Sequence, residues 1–130
     1  MEKYNELIKA LGLDIPNNWK TDLRDTFILL FKPVIEGSDI SFSINKGDHS
    51  AKILEIYKTG YKGRIGGISQ LRTMDCWIFL SKDFFDIAQK RLALPDNMKP
   101  KRSQPHIKIS LETVWNILCF LSGKDHLMTK

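Results

Sequence analysis

The sequence predicts a single α+β domain, with a central mixed sheet built on a β-hairpin and flanked by helices. Three observations carry that expectation. Apolar residues recur at helical spacing near both ends of the chain, ISFSI alternates apolar with polar side chains, and CWIFL is a continuous apolar run of strand length. A length of 130 residues suits one core, and a 42% share of hydrophobic residues is enough to fill it.

Each element has its own signal. Tyr4, Leu7, Ile8 and Leu11 share one face of a helix over Glu2 to Leu11, with Gly12 as its stop. DIPNN, residues 14–18, breaks that period as a turn. Thr21 or Asp22 caps a second helix through Leu23, Phe27, Leu30 and Phe31, ending before Pro33, although TFILLF alone also fits a buried strand. Val34 to Ile44 then reads as strand. Asn45-Lys46-Gly47-Asp48 is a hairpin turn, and Ala51 to Tyr57 returns as the partner.

Thr59 to Gly67 holds four of the eight glycines together with Lys62 and Arg64, and reads as a flexible basic loop. Ser69 looks like the N-cap of a short helix, QLRTMD, which leads into CWIFL as a central strand buried on both faces. Phe84 to Ala88 fits strand or helix equally. PDNMKPKRSQP is a proline-rich loop carrying Lys99, Lys101 and Arg102, followed by a short edge strand at His106 to Ile109. Ser110 caps a last helix, LETVWNILCFLSG, and the tail KDHLMTK is expected to fray.

Lys and Arg number 20 against 15 Asp and Glu, a formal net charge of +5 that favours an anionic partner, nucleic acid first. Cys76 and Cys119 sit in apolar runs and read as buried thiols, and no Cys/His spacing suits zinc. The N-terminal residues are amphipathic and charged, unlike a signal peptide, and no apolar run approaches the length of a membrane span. A cytoplasmic protein without a membrane partner is the expectation. His49, His106 and His126 have no Ser or Cys partner at a spacing that suggests a nucleophilic triad.

The chemistry-bearing stretch is GSDISF followed by LEIYK, which offers Asp39 on one strand of the hairpin and Glu55 on the other, with Lys58 just beyond. With ISQLRTMD and CWIFL after them, the order helix, strand, strand, helix, strand over residues 34–80 resembles the PD-(D/E)XK, or restriction-endonuclease-like, nuclease family. The resemblance implies Mg²⁺-dependent hydrolysis of phosphodiester bonds in DNA. Asp39 and Glu55 would be the metal ligands, and Lys58 would assist the attacking water. It also implies a homodimer if both strands of a duplex are cut. The carboxylates should then converge within about 6 Å, the reach of one hydrated cation.

One departure weighs against activity. The family's Glu and Lys lie two residues apart, on one strand face, whereas here position 57 is Tyr57 and the lysine is Lys58. A β-bulge at Ile56–Tyr57 would restore the facing, or Lys62 could reach back from the glycine loop. Without either, the alternatives are a non-catalytic nucleic-acid-binding module of the same fold and a small phage- or plasmid-type protein-binding inhibitor. Lys62, Arg64, Lys99, Lys101 and Arg102 are the candidate phosphate contacts. Each site residue also has a plain structural role available: Asp39 opening a strand from a turn, Glu55 on a solvated sheet face, Lys58 at the surface.

Overall fold

The computed structural model describes residues 2–11, 23–44, 54–72, 75–94, 96 and 107–129. Two helices come first, α1 (Lys3–Leu11) and α2 (Leu23–Ile35). Tyr4 and Ile8 are the buried stripe of α1, and Leu30, Phe31 and Val34 are buried on α2, the i, i+1, i+4 spacing of a core-facing helix. The second helix runs past Pro33 and takes in Val34 and Ile35, which the sequence assigns to a strand. The hydrogen bond that Pro33 removes is the one Leu29's carbonyl would accept. Leu29 is 55% exposed, so this side of the helix is open to water and the loss is cheap. Gly37, at φ +74°, then reverses the chain, and Ser38 Oγ accepts from the backbone N–H of Ile40 at 3.1 Å to start the sheet.

The sheet has five strands in sequence order: β1 (Ile40–Ile44), β2 (Leu54–Lys58), β3 (Gly66–Arg72), β4 (Asp75–Leu80) and β5 (Ile107–Ser110). Every neighbouring pair is antiparallel, so the sheet is a meander and not the mixed sheet expected. Residues 69–72, read from the sequence as part of a short helix behind a Ser69 cap, continue β3 instead. The reason is tertiary: Ile68 sits opposite Leu54 on one side and Ile78 on the other, completing an apolar row across three strands. That burial outweighs a weak capping signal, and Gly66-Gly67 just before it disfavours a helix.

Gly66 marks a close approach of β3 to β4. A Cβ placed there would lie 2.6 Å from the backbone oxygen of Phe79, so only glycine lets β3 and β4 come this close.

A third helix, α3 (Lys82–Leu92), follows β4 and buries Phe84, Phe85 and Ala88. The last, α4 (Leu111–Leu121), starts where β5 ends: Ser110 Oγ accepts from the Thr113 N–H at 3.1 Å, the cap read from the sequence. Seven of its eleven residues are buried, so α4 is the central helix. Its Trp115 ring packs against Tyr4 of α1 at 5.4 Å and Phe31 of α2 at 6.2 Å. The tail after α4 is docked, contrary to expectation. Trp115 Nε1 donates to the Leu127 carbonyl at 2.8 Å, and the Asn116 side chain pairs with the Thr129 backbone N–H and hydroxyl, each at 2.8 Å.

The core-facing side of the sheet supplies Ile40, Leu54, Ile56, Ile68, Ile78 and Leu80, all buried. The alternate positions face the other way: Ser41 and Ser43 are exposed, and Glu55, Tyr57 and Phe79 are half-buried. Among the described residues no helix covers that second face, and at the end of the CWIFL strand Ile78 and Leu80 are buried while Phe79 between them is only half-buried. No helix among the described residues is long and apolar enough to cross a membrane.

Candidate functional site

The structure brings Asp39 and Lys58 together and sets Glu55 apart from both. Asp39 lies between the Ser38 turn and the first residue of β1. Its backbone oxygen accepts from the Thr59 N–H at 3.0 Å, which closes the open end of the hairpin. Lys58 is opposite Ile40, on the core side of β2. Its Nζ lies 2.8 Å from both carboxylate oxygens of Asp39 and 3.4 Å from the carbonyl of Leu121 at the C-terminal end of α4. A cation there also complements the negative end of the helix dipole. The hydrogen bond from Lys58, more than any other cause, lowers the Asp39 carboxyl below its ordinary value of 3.8. Three elements meet at this ammonium, so the pair fastens the hairpin to α4.

Glu55 belongs to the other face and to another part of the strand. Pairing of β1 with β2 is unbroken from Ile40↔Lys58 to Ile44↔Leu54, so no bulge at Ile56–Tyr57 returns Lys58 to the face of Glu55. Glu55 pairs with Ser43, four residues along β1 from Asp39. At about 3.3 Å per residue the two carriers are roughly 13 Å apart. The convergence within 6 Å expected for a shared cation does not occur.

Nor does the donor set suit Mg²⁺. Asp39 is neutralised by Lys58, and Glu55 is held by a phenol and a guanidinium. Among the described residues no three His, Cys, Asp or Glu side chains gather in a group able to hold a metal.

A different cluster forms around Glu55. The Tyr57 hydroxyl donates to Glu55 Oε2, and Arg64 Nη1 donates to Oε1 at 3.3 Å. The Arg64 guanidinium lies over the ring of Phe79, 4.8 Å from its centroid. The register explains why these groups meet. Ser43, Glu55, Gly67 and Phe79 form one row across β1 to β4. Gly67 has no side chain, so the arginine crosses above it from the carboxylate to the ring, and Gly67 is buried although it faces outward. Arg64 itself stays 45% exposed and Glu55 only 14%. The hydrogen bond to Glu55, chiefly, raises the Tyr57 phenol above its ordinary value of 10.0. Tyr57 is therefore a neutral donor and a poor nucleophile.

The glycine-rich connection that supplies Arg64 is anchored at both ends. Ile65, 2% exposed, donates its N–H to the Ile56 carbonyl and accepts from the Ser81 N–H, each at 2.8 Å. Gly60 and Gly63, at φ +90° and +77°, make the turns between. The Tyr61 ring packs edge-on against Phe84 at 4.8 Å, and Lys62 and Arg64 remain exposed to solvent. Lys99, Lys101 and Arg102, like His49 and His106, lie outside the described residues.

From the sequence alone Phe79 reads as core, and Tyr57 as core or rim packing with stacking on a base as the alternative. Strand parity was the available signal: Tyr57 is two residues from Glu55, and Phe79 alternates with the buried Ile78 and Leu80.

No family model, no curated protein and no solved structure matches this chain.

Proposed function

We propose that this protein is a non-hydrolytic nucleic-acid-binding module that uses the sheet face that no described helix covers. The observation that carries the reading is the Arg64–Phe79–Tyr57 cluster on that face, with the exposed Lys62 two residues before Arg64 in the same connection. A cation held over an aromatic ring next to a second aromatic, in a chain of net charge +5, matches the two needs of a nucleic-acid surface: charge for phosphate and flat apolar faces for bases. The hydrolase reading loses support because its two acidic residues do not meet and its lysine is occupied. A tyrosine nucleophile is disfavoured by the anionic neighbour that keeps Tyr57 protonated.

The test is binding of fluorescently labelled oligonucleotides, followed by anisotropy over a series of potassium chloride concentrations. Affinity should fall with salt, with a log–log slope of about −1 to −2 for contacts by Lys62 and Arg64. Lys62→Ala should weaken binding to every sequence alike and make the slope shallower. An affinity that stays flat with salt would remove phosphate from the interface and point to a protein partner. Mg²⁺-dependent nicking that disappears in Glu55→Ala would reinstate hydrolysis.

A further inference from the structure

We infer that the strand bound on this face is single, with unpaired bases stacked on the Arg64–Phe79 pair and on Tyr57. The inference rests on the nucleic-acid reading above and names the substrate class of the same surface. Three features of the face carry it.

The first is shape. The contact groups are a phenol, a phenyl ring and two serines, Ser41 and Ser43, on sheet positions, with the guanidinium of Arg64 laid over the phenyl ring from the preceding connection. Among the described residues nothing projects from this face as a helix or ribbon that could enter a major groove about 12 Å wide. A duplex would meet it only with its phosphates, and Arg64, which lies on it, is already paired with Glu55. An unpaired strand presents π-faces as well, and these are what the phenol and the guanidinium match.

The second is spacing. Phe79 lies in the same cross-strand row as Glu55, two strands away, and Tyr57 lies two residues along β2 from Glu55. With strands about 4.8 Å apart and about 3.3 Å per residue, the backbone carriers of Phe79 and Tyr57 are roughly 12 Å apart, and Glu55 draws their planar groups together by holding both the Tyr57 hydroxyl and Arg64. Two planar groups gathered on one carboxylate offer neighbouring stacking surfaces, and the face of a base is free to lie on them only where that base is unpaired and unstacked from its neighbours.

The third is order before binding. Glu55 holds the Tyr57 hydroxyl on one oxygen and Arg64 on the other, and Arg64 lies across Gly67 onto Phe79. The planar groups therefore have fixed orientations in the free protein, which lowers the ordering cost of binding. Glu55 acts here as a positioning residue: it aims the two groups that meet the bases. Charge supports a polyanion as occupant: the chain carries a net charge of +5, and the connection that supplies Arg64 to the face also carries the exposed Lys62.

The experiment compares a mixed-sequence single strand with the duplex of the same sequence, at one fixed salt concentration, for the wild type, Arg64→Lys and Tyr57→Leu. Arg64→Lys keeps the charge and removes the plane that stacks. The wild type should bind the single strand at least tenfold more tightly than the duplex. Arg64→Lys should lose about tenfold on the single strand and little on the duplex. Tyr57→Leu should do the same if its melting curve shows it folded, and Arg64→Lys, at an exposed position, decides the matter if it does not. Equal binding of duplex and single strand, with Arg64→Lys neutral, would overturn the single-strand inference and leave the module reading standing. Failure of the wild type to bind either ligand at low salt would overturn both.

Discussion

Gly66→Ala is the sharpest probe of the sheet that carries the proposed surface. The added methyl would stand 2.6 Å from the backbone oxygen of Phe79, 3.1 Å from Leu80 Cδ2 and 3.6 Å from Ile56 Cδ1. The leucine and isoleucine tips can yield. The carbonyl cannot, because it belongs to the β4 backbone, where Phe79 pairs with Gly67 and Leu80 with Gly66. Relief requires β3 and β4 to separate locally by several tenths of an ångström. Forcing a close-packed interior apart in this way costs about 1–3 kcal/mol. For a domain of this size each kcal/mol lowers Tm by about 4 °C, so the expected drop is roughly 4–12 °C. Thermal unfolding followed by far-ultraviolet circular dichroism reads the drop directly. A urea titration with an unchanged m-value would show that stability moved and not the extent of unfolding. A Tm within about 1 °C of wild type would refute the reasoning, because the two strands would then have to lie further apart than the Gly66–Leu80 pairing places them. Because Arg64 lies on Phe79, the same strand separation should also weaken oligonucleotide binding.

Two further predictions concern the two carboxylates. The Asp39 carboxyl is lowered below 3.8 by Lys58, so the pair's contribution to stability is present above that value and is lost as pH falls below it through the lowered pKa. The Tm difference between wild type and Asp39→Asn should therefore be constant at neutral pH and shrink below about 3.8; a difference that is the same at all pH values would show that the ion pair contributes nothing. The Tyr57 phenol is raised above 10.0 by Glu55, so its linked stability is full below that value and is lost as pH rises through the raised pKa. In a spectrophotometric titration the Tyr57 contribution should ionise late: a late component should be lost in Tyr57→Phe and move earlier in Glu55→Gln. Three phenols that titrate together would mean that the Tyr57–Glu55 bond does not persist in solution.

Most of the architecture was legible in the sequence wherever local pattern and burial agreed. ISFSI alternates because β1 has one buried and one wet face, and Ser110 was identifiable as a cap because its hydroxyl serves the same Thr113 N–H that any cap at that offset would serve. The misreadings came where a distant partner decided the outcome. Residues 69–72 became strand because Ile68 fits between Leu54 and Ile78, which no window of neighbouring residues can reveal. The tail was misread as frayed because its partners, Trp115 and Asn116, are more than ten residues earlier in the chain. The helix continued through Pro33 because the carbonyl left without a partner lies on the exposed side, a fact of packing and not of propensity. For the candidate site, parity was readable and register was not. Period-two alternation alone separates Lys58 from Glu55, but the pairing of Glu55 with Ser43, which moves it away from Asp39, depends on the length and path of a turn.

That distinction between parity and register explains why a nuclease-like string of letters yields a surface of another kind. Exchanging the residues at 57 and 58, by Tyr57→Lys with Lys58→Tyr, would place a glutamate and a lysine two apart on one face, as the resemblance requires. It would still build no metal site, because Asp39 would remain four residues along its strand from the partner of Glu55. Moving Asp39 into range would need a four-residue shift of β1 against β2. A shift by an even number keeps the faces, but it would move Ile40 from Lys58 to the last paired position, Leu54, carry Phe42, now opposite Ile56, beyond the end of β2 and uncover the apolar contact between Phe42 and Phe31. The register that keeps those apolar side chains under the helices is thus the same register that keeps the two carboxylates apart. In that register Tyr57, Glu55, Arg64 and Phe79 fall together on the open face, and the chemistry of this chain follows from that grouping.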